Sequence, residues 1–179
     1  MGPGPDAGTR GAVTLDAMSH RIRPVAEKCV DELLGYTLRP PLSTSMLKMV
    51  AAARRVALRD LTADQLRLLI VQGEGVTYLV PFALAHLERD PLVGTSYFRG
   101  DLLSAVLHAA AFWVSRPEPR ERIRAVVERA LATLATVRPT DWASGEVPDP
   151  DGPTGRDHAT LEPSLQAALA QIQQASAGR

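Results

Sequence analysis

From Pro117 to Val137 the apolar side chains Ile123, Val127, Ala130, Leu134 and Val137 step by four, three, four and three residues. That spacing keeps returning to one side of an α-helix and defines a seam that must pack against another helix. On the other side, Glu118/Arg122 and Arg124/Glu128 stand four residues apart, where opposite charges add about 0.2–0.5 kcal/mol each. A chain carrying such a seam needs further helices to cover it, and the remaining sequence supplies them.

Start and stop signals divide the preceding stretch into short helices. A pattern from Leu15 to Leu34 is interrupted at Pro24 and ends at Gly35, a residue suited to a left-handed cap. Ser43 or Thr44 caps a second helix that places Met46, Val50 and Ala53 on one face. Thr62-Ala63-Asp64-Gln65 is a capping box opening a third, which closes at Gly73. A fourth is expected with Pro81 in its first turn, followed by Leu84 and Leu87. The fifth starts at Gly100-Asp101 with Asp101 as N-cap, and Leu103, Val106, Leu107, Ala110 and Trp113 form its buried stripe. The one short alternating run, Val76–Val80, is stopped by Pro81 and would have no partner strand. The expected class is all-α: a compact single-domain bundle of about six helices, with Pro81, Leu84, Leu103 and Trp113 in the core. A linker and a C-terminal amphipathic helix follow.

Composition sets the outer boundaries. Residues 1–12 are rich in Gly and Pro and read as a disordered arm before a helical domain at 13–138. Residues 139–160 are a Pro/Gly/Asp-rich linker with few expected contacts. A tail helix at 161–175 follows, carried by Leu161, Leu165, Ala168, Leu169 and Ile172. Twenty basic residues balance twenty acidic ones, so a chain built to coat nucleic acid is not expected. The balance is local as well: residues 45–138 carry +4 and residues 139–179 carry −4. A single cysteine, Cys29, excludes an internal disulfide and a Cys-based zinc site. Residues 1–13 have no apolar core of a signal peptide, Asp6 stands where a myristoylation motif needs Ser or Thr, and no run is long enough to span a bilayer. A cytoplasmic protein without membrane contact is expected.

Chemistry-bearing residues are sparse. Asp101, Ser104 and His108 share one helical face and spell a hydrolase triad. A working triad needs the histidine between the other two. Here Asp101 and His108 are seven residues apart, about 10.5 Å along a helix axis. The expectation is a capping Asp101 and a partly buried His108, with no catalytic residue. His86 and Asp90 lie four apart but lack a third ligand, so no metal and no cofactor is expected. Arg54, Arg55 and Arg59 precede the capping box as in a helix–turn–helix, yet the next helix carries Leu66, Leu68, Leu69, Ile70 and Val71 on most of its faces and belongs inside the fold rather than in a DNA groove. Tyr97-Phe98-Arg99-Gly100 falls between helices, where Tyr and Arg commonly anchor a partner.

Three segments carry a family pattern. They are Leu61-Thr62 to Leu66-Arg67-Leu68-Leu69-Ile70-Val71-Gln72 (LTxxxLRxLIxQ), Leu79-Val80-Pro81-Phe82-Ala83-Leu84 (LxPxAL), and Gly100-Asp101-Leu102-Leu103 after a Tyr/Phe loop. With Leu87, Asp90-Pro91-Leu92, Val106-Leu107 and Trp113, the pattern over about residues 31–137 resembles the immunity proteins of bacterial contact-dependent growth inhibition (CDI) systems. The loop Thr95–Arg99 differs from the family's usual Gly-Asp-Phe-Tyr, and Gln65 stands where the family usually has an acid. The resemblance implies a cytosolic, non-catalytic protein that binds a cognate toxin domain and blocks it by steric occlusion. The toxin's identity and the chain's oligomeric state stay open. Gln72, Glu74, Tyr97 and Arg99, in or beside loops at helix ends, are the expected contacts. The alternative is an adaptor that uses the helical domain or the tail helix for protein binding.

Overall fold

The computed structural model describes residues 24–96, 98–136 and 155–177. The expected arm at 1–12, Tyr97, and the part of the expected linker at 139–154 lie outside them. Seven α-helices make up the described fold: α1 (Val30–Leu34), α2 (Ser45–Ala53), α3 (Ala63–Val71), α4 (Val76–Leu87), α5 (Asp101–His108), α6 (Pro117–Thr136) and α7 (Gly155–Ala177). Among the described residues there is no strand, only two isolated bridges, Cys29–Ala57 and Gly94–Arg99. The all-α class stands.

The local signals act where the sequence puts them. Thr44 Oγ1 accepts the Leu47 N–H at 3.1 Å and starts α2. Thr62 and Gln65 exchange side-chain and backbone bonds at the head of α3, satisfying two amides that have no partner within the helix. Gly35 and Gly73 stop α1 and α3 with φ of 73° and 74°.

Two starts differ from expectation. Helix α4 begins at Val76, directly after Gly75 at φ 63°, so Val76–Val80 is its first turn and Pro81 sits inside the helix rather than at its head. Pro81 is also exposed, not in the core. Thr77, whose carbonyl loses the bond that a residue-81 N–H would give, is exposed too, so water can take its place. Helix α5 is capped by Gly100 (φ 86°), and Asp101 is its first residue, buried. The fifth stripe is also shorter than its pattern: α5 ends at His108, and Ala110–Phe112 is a 3-10 turn.

Helices α3 and α4 lie at the centre, with α2, α5 and α6 packed on them. Leu66, Leu69, Leu79, Leu84, Leu87, Leu102, Leu103 and Val106 are wholly buried there. Trp113 closes the end of the core, its indole Nε1 donating to the Val106 carbonyl at 2.7 Å. The seam of α6 is buried at Ile123, Val127, Ala130 and Leu134, and Val137 lies outside the described residues.

The C-terminal helix is not a loose element. Helix α7 packs along α6 and reaches α5, burying Leu161, Leu165 and Ile172. The buried Arg120 guanidinium donates to the carbonyls of Val114 and Ala175, both at 3.3 Å, tying the end of α7 to the start of α6. A Cβ on Gly100 would lie 2.8 Å from Leu161 Cδ2, so the two helices meet closely at the head of α5. The linker composition conceals this docking, because the apolar positions that make it are four to seven residues apart within a polar helix.

Candidate functional site

A cleft of about 520 Å³ opens between the C-terminal half of α3 and α5. Ile70, Val76, Ala105 and Ala109 form its apolar floor, and Phe98 closes one side. Its rim carries Val71 and Phe112, which are 57% and 42% exposed. Helix geometry explains the pairing: Ala105 and Ala109 stand one turn apart, and small side chains on that stripe leave room that Leu or Ile would fill.

The polar end of the cleft is a buried ion pair. Arg67 Nε lies 3.4 Å from Asp101 Oδ2, with side-chain exposures of 15% and 2%. The same carboxylate accepts a short hydrogen bond from the Thr95 hydroxyl. Burial pushes the Asp101 carboxyl above the usual aspartate range, against the Thr95 hydroxyl, the Arg67 charge and the nearby amides of Leu102 and Phe98. On the other side of Arg67, Asp64 Oδ1 accepts the Ser96 N–H at 2.6 Å. Burial alone would raise the Asp64 carboxyl, but Ser96, the Thr95 hydroxyl and Arg67 together hold it below the usual range. Two acids and one arginine thus fasten the start of the Thr95–Arg99 loop to α3 and α5.

The expected contact residues fall around this cleft in different states. Gln72 is the exposed C-cap of α3 and adjoins Gly73, which lines the cleft. Arg99 is exposed beside Phe98 and bridges to Gly94. Tyr97, the centre of that loop, lies outside the described residues. Glu74 is engaged elsewhere: it accepts a short bond from the Arg54 guanidinium, and Tyr36 Oη donates to it at 3.3 Å. It joins the α3–α4 turn to the residues after α1.

The other motifs resolve as structure. His108 is exposed rather than partly buried, because α5 ends there. Its Nδ1 lies 2.8 Å from the Ser104 carbonyl, which can only accept, so that nitrogen carries the proton and cannot take one from Ser104 Oγ at 3.5 Å. Asp101, turned to Arg67 and Thr95, is not its orienting acid. Asp90 accepts the Leu92 N–H at 3.0 Å and caps a turn. Among the described residues no group of three metal-ligating side chains converges. Of the arginines tested as a DNA contact, Arg54 is completely buried, while Arg55 and Arg59 are exposed.

Sequence reasoning missed the Arg54 cluster and the Arg67–Asp101 pair. One signal was present: Arg54 stands four residues after Val50, on the apolar face of α2. An arginine on a buried stripe has to meet acids, and it meets Asp31 and Glu74.

Residues 37–123 match the CDI immunity proteins. The CDI immunity match runs from before α2 into α6, so it contains every residue that lines the cleft, from Arg67 to Phe112. It leaves out α1 and α7, and with them Asp31 and Leu161. Searches of curated proteins and of solved structures found no match. No helix among the described residues is long and apolar enough to cross a membrane.

Proposed function

We propose that this chain is the immunity partner of a CDI toxin domain, acting in the cytoplasm by covering the toxin's working surface. The CDI immunity match over residues 37–123 carries this reading. The geometry supports it: the matched helices present an open apolar cleft with exposed Val71 and Phe112 on its rim, beside a loop fastened at two points by Asp64 and Asp101. A fixed surface loses little entropy on binding, which is what tight occlusion requires. The protein transforms nothing in this reading. It uses no cofactor or metal and touches neither nucleic acid nor membrane; its partner is another polypeptide.

Gln72, Arg99 and Tyr97 are the proposed contacts, with Glu74 holding the turn that presents Gln72. A specific interface of this kind buries roughly 1,200–2,000 Å² in total. Co-expression with the toxin domain encoded beside the gene tests the proposal. Growth should be restored and a complex should co-purify; continued killing despite good expression of the soluble chain would falsify it.

A further inference from the structure

Tyr36 is fixed in place and yet half in solvent. Gly35, at φ 73°, ends α1, and Tyr36 follows it onto the guanidinium of Arg54 at the end of α2. The ring stands 4.3 Å from the guanidinium centre, and the Tyr36 carbonyl accepts from Arg54 Nη2 at 2.8 Å. The hydroxyl accepts from Arg54 Nη1 at 3.2 Å and donates to Glu74 Oε2 at 3.3 Å. Arg54 is completely buried, so the ring rests on a fixed support, while Tyr36 itself remains 51% exposed. A ring immobilised in advance loses little further entropy when a partner covers it, which is how tyrosine anchors serve an interface.

Beside the ring lies an open acceptor. The bonds that Glu74 receives from Arg54 and Tyr36 both go to Oε2, and Oε1 makes none among the described residues. The buried side-chain atoms without a partner are Arg67 Nε, Asp101 Oδ1 and Arg120 Nε; Glu74 Oε1 is not one of them, so solvent and an incoming donor can reach it. Its charge is also only partly matched. Among the described residues Glu74 pairs with Arg54 alone, and Arg54 is shared with Asp31 at 2.5 Å. Arg55, the next cation, stands 3.8 Å from Asp31 rather than against Glu74. The complementary group is a cation that also fits a ring. A guanidinium lies flat on an aromatic face and sends its N–H groups to a carboxylate, which a compact ammonium does less well.

We infer that Tyr36 and Glu74 together receive an arginine side chain of the toxin domain, its guanidinium against the exposed ring and its N–H groups on Glu74 Oε1. The inference rests on the toxin-binding reading. It adds an anchor one residue before the matched stretch, and the chemistry of the group that meets it.

The probe is the toxin domain encoded beside the gene, added to the unaltered full chain. Hydroxyl-radical footprinting read by mass spectrometry should show Tyr36 oxidised in the free chain and protected in the complex. A complex in which Tyr36 is oxidised as before overturns the anchor and leaves the immunity reading standing; no complex at all overturns both. Affinity then tests the chemistry. Tyr36→Ala, which keeps the carbonyl used by Arg54, should bind about thirtyfold more weakly, as truncation of an interface anchor does. Glu74→Gln should bind about fivefold more weakly, the scale of a partly exposed ion pair. The loss should shrink between about 50 and 500 mM salt, where screening removes the same attraction. Wild-type affinity in both variants, or a Glu74→Gln loss that salt does not change, overturns the charged pairing. Arg→Gln substitutions on the toxin domain complete the cycle: one of them should cost nothing further in the Glu74→Gln chain. Full additivity at every arginine overturns the assignment.

Discussion

Arg54 Nε donates to Asp31 Oδ1 at 2.5 Å, joining α1 to the end of α2 around a guanidinium with no exposed surface. The Tyr36 carbonyl accepts from the same guanidinium at 2.8 Å, and the Tyr36 ring lies 4.3 Å from its centre. Removing one member of a buried pair leaves the other desolvated and unmatched. Arg54→Ala is expected to destabilise the chain by about 3–5 kcal/mol. Asp31→Ala combined with Arg54→Met should recover part of that loss, because Glu74, the remaining acid, is partly exposed. Urea unfolding of the three chains measures it; a loss below 1 kcal/mol for Arg54→Ala would show that the cluster is not holding α1 in place.

Asp64 sets an acid-side dependence. Its folded carboxyl lies below the ordinary aspartate value of 3.8. As pH falls through that value the unfolded chain takes the proton first, so the stability from Asp64 is present above it and is lost through the lower, folded value. Asp101, raised in the fold, acts with the opposite sign: its share is present below 3.8 and is lost as pH rises through the folded value. Asp64→Asn should flatten the fall in stability below pH 4, measured by unfolding at several acid pH values. An unchanged acid limb would mean that the Ser96 N–H does not favour the charged form.

Helix α7 should unfold with the rest of the chain. Leu165 is wholly buried, and Leu165→Ala is expected to cost about 2–5 kcal/mol. Calorimetry should show a lowered Tm with a single transition, and a chain ending at residue 154 should melt lower than the full chain. An unchanged Tm in both would show α7 to be thermodynamically separate.

The α5–α7 contact can be isolated at Gly100. Its φ of 86° penalises any side chain, and a Cβ would also press on Leu161. Gly100→Ala should cost about 1–2 kcal/mol for the left-handed backbone alone, and more with Leu161 present. In a Leu161→Ala background only the backbone part should remain. Additive effects in that double-mutant cycle would place Leu161 away from Gly100 in solution.

Local structure was readable where a signal is self-contained. Thr62 and Gln65 complete a capping box within four residues, and Gly35 and Gly73 stop helices by their own backbone freedom. What required the third dimension was polar and long-range. Asp101 looked like an N-cap because Asp often is one, yet Gly100 takes that role and frees the carboxylate to meet Arg67, 34 residues earlier in the chain. Pro81 looked like a helix start, but Gly75 had already begun the turn. The docking of α7 was hidden because Leu161, Leu165 and Ile172 show a face and not what covers it. The cleft was invisible for the same reason: Ala105 and Ala109 are small, and a void between helices is a property of two sequences read together.

Ser104 and His108 line two hollows at once, the cleft toward α3 and a smaller one toward α7. Helix α5 is thus a partition only eight residues long. On its far side the chain's own last segment meets it through Leu161, against Gly100. The tail serves as a buttress, and trimming it would leave a thin, compliant wall.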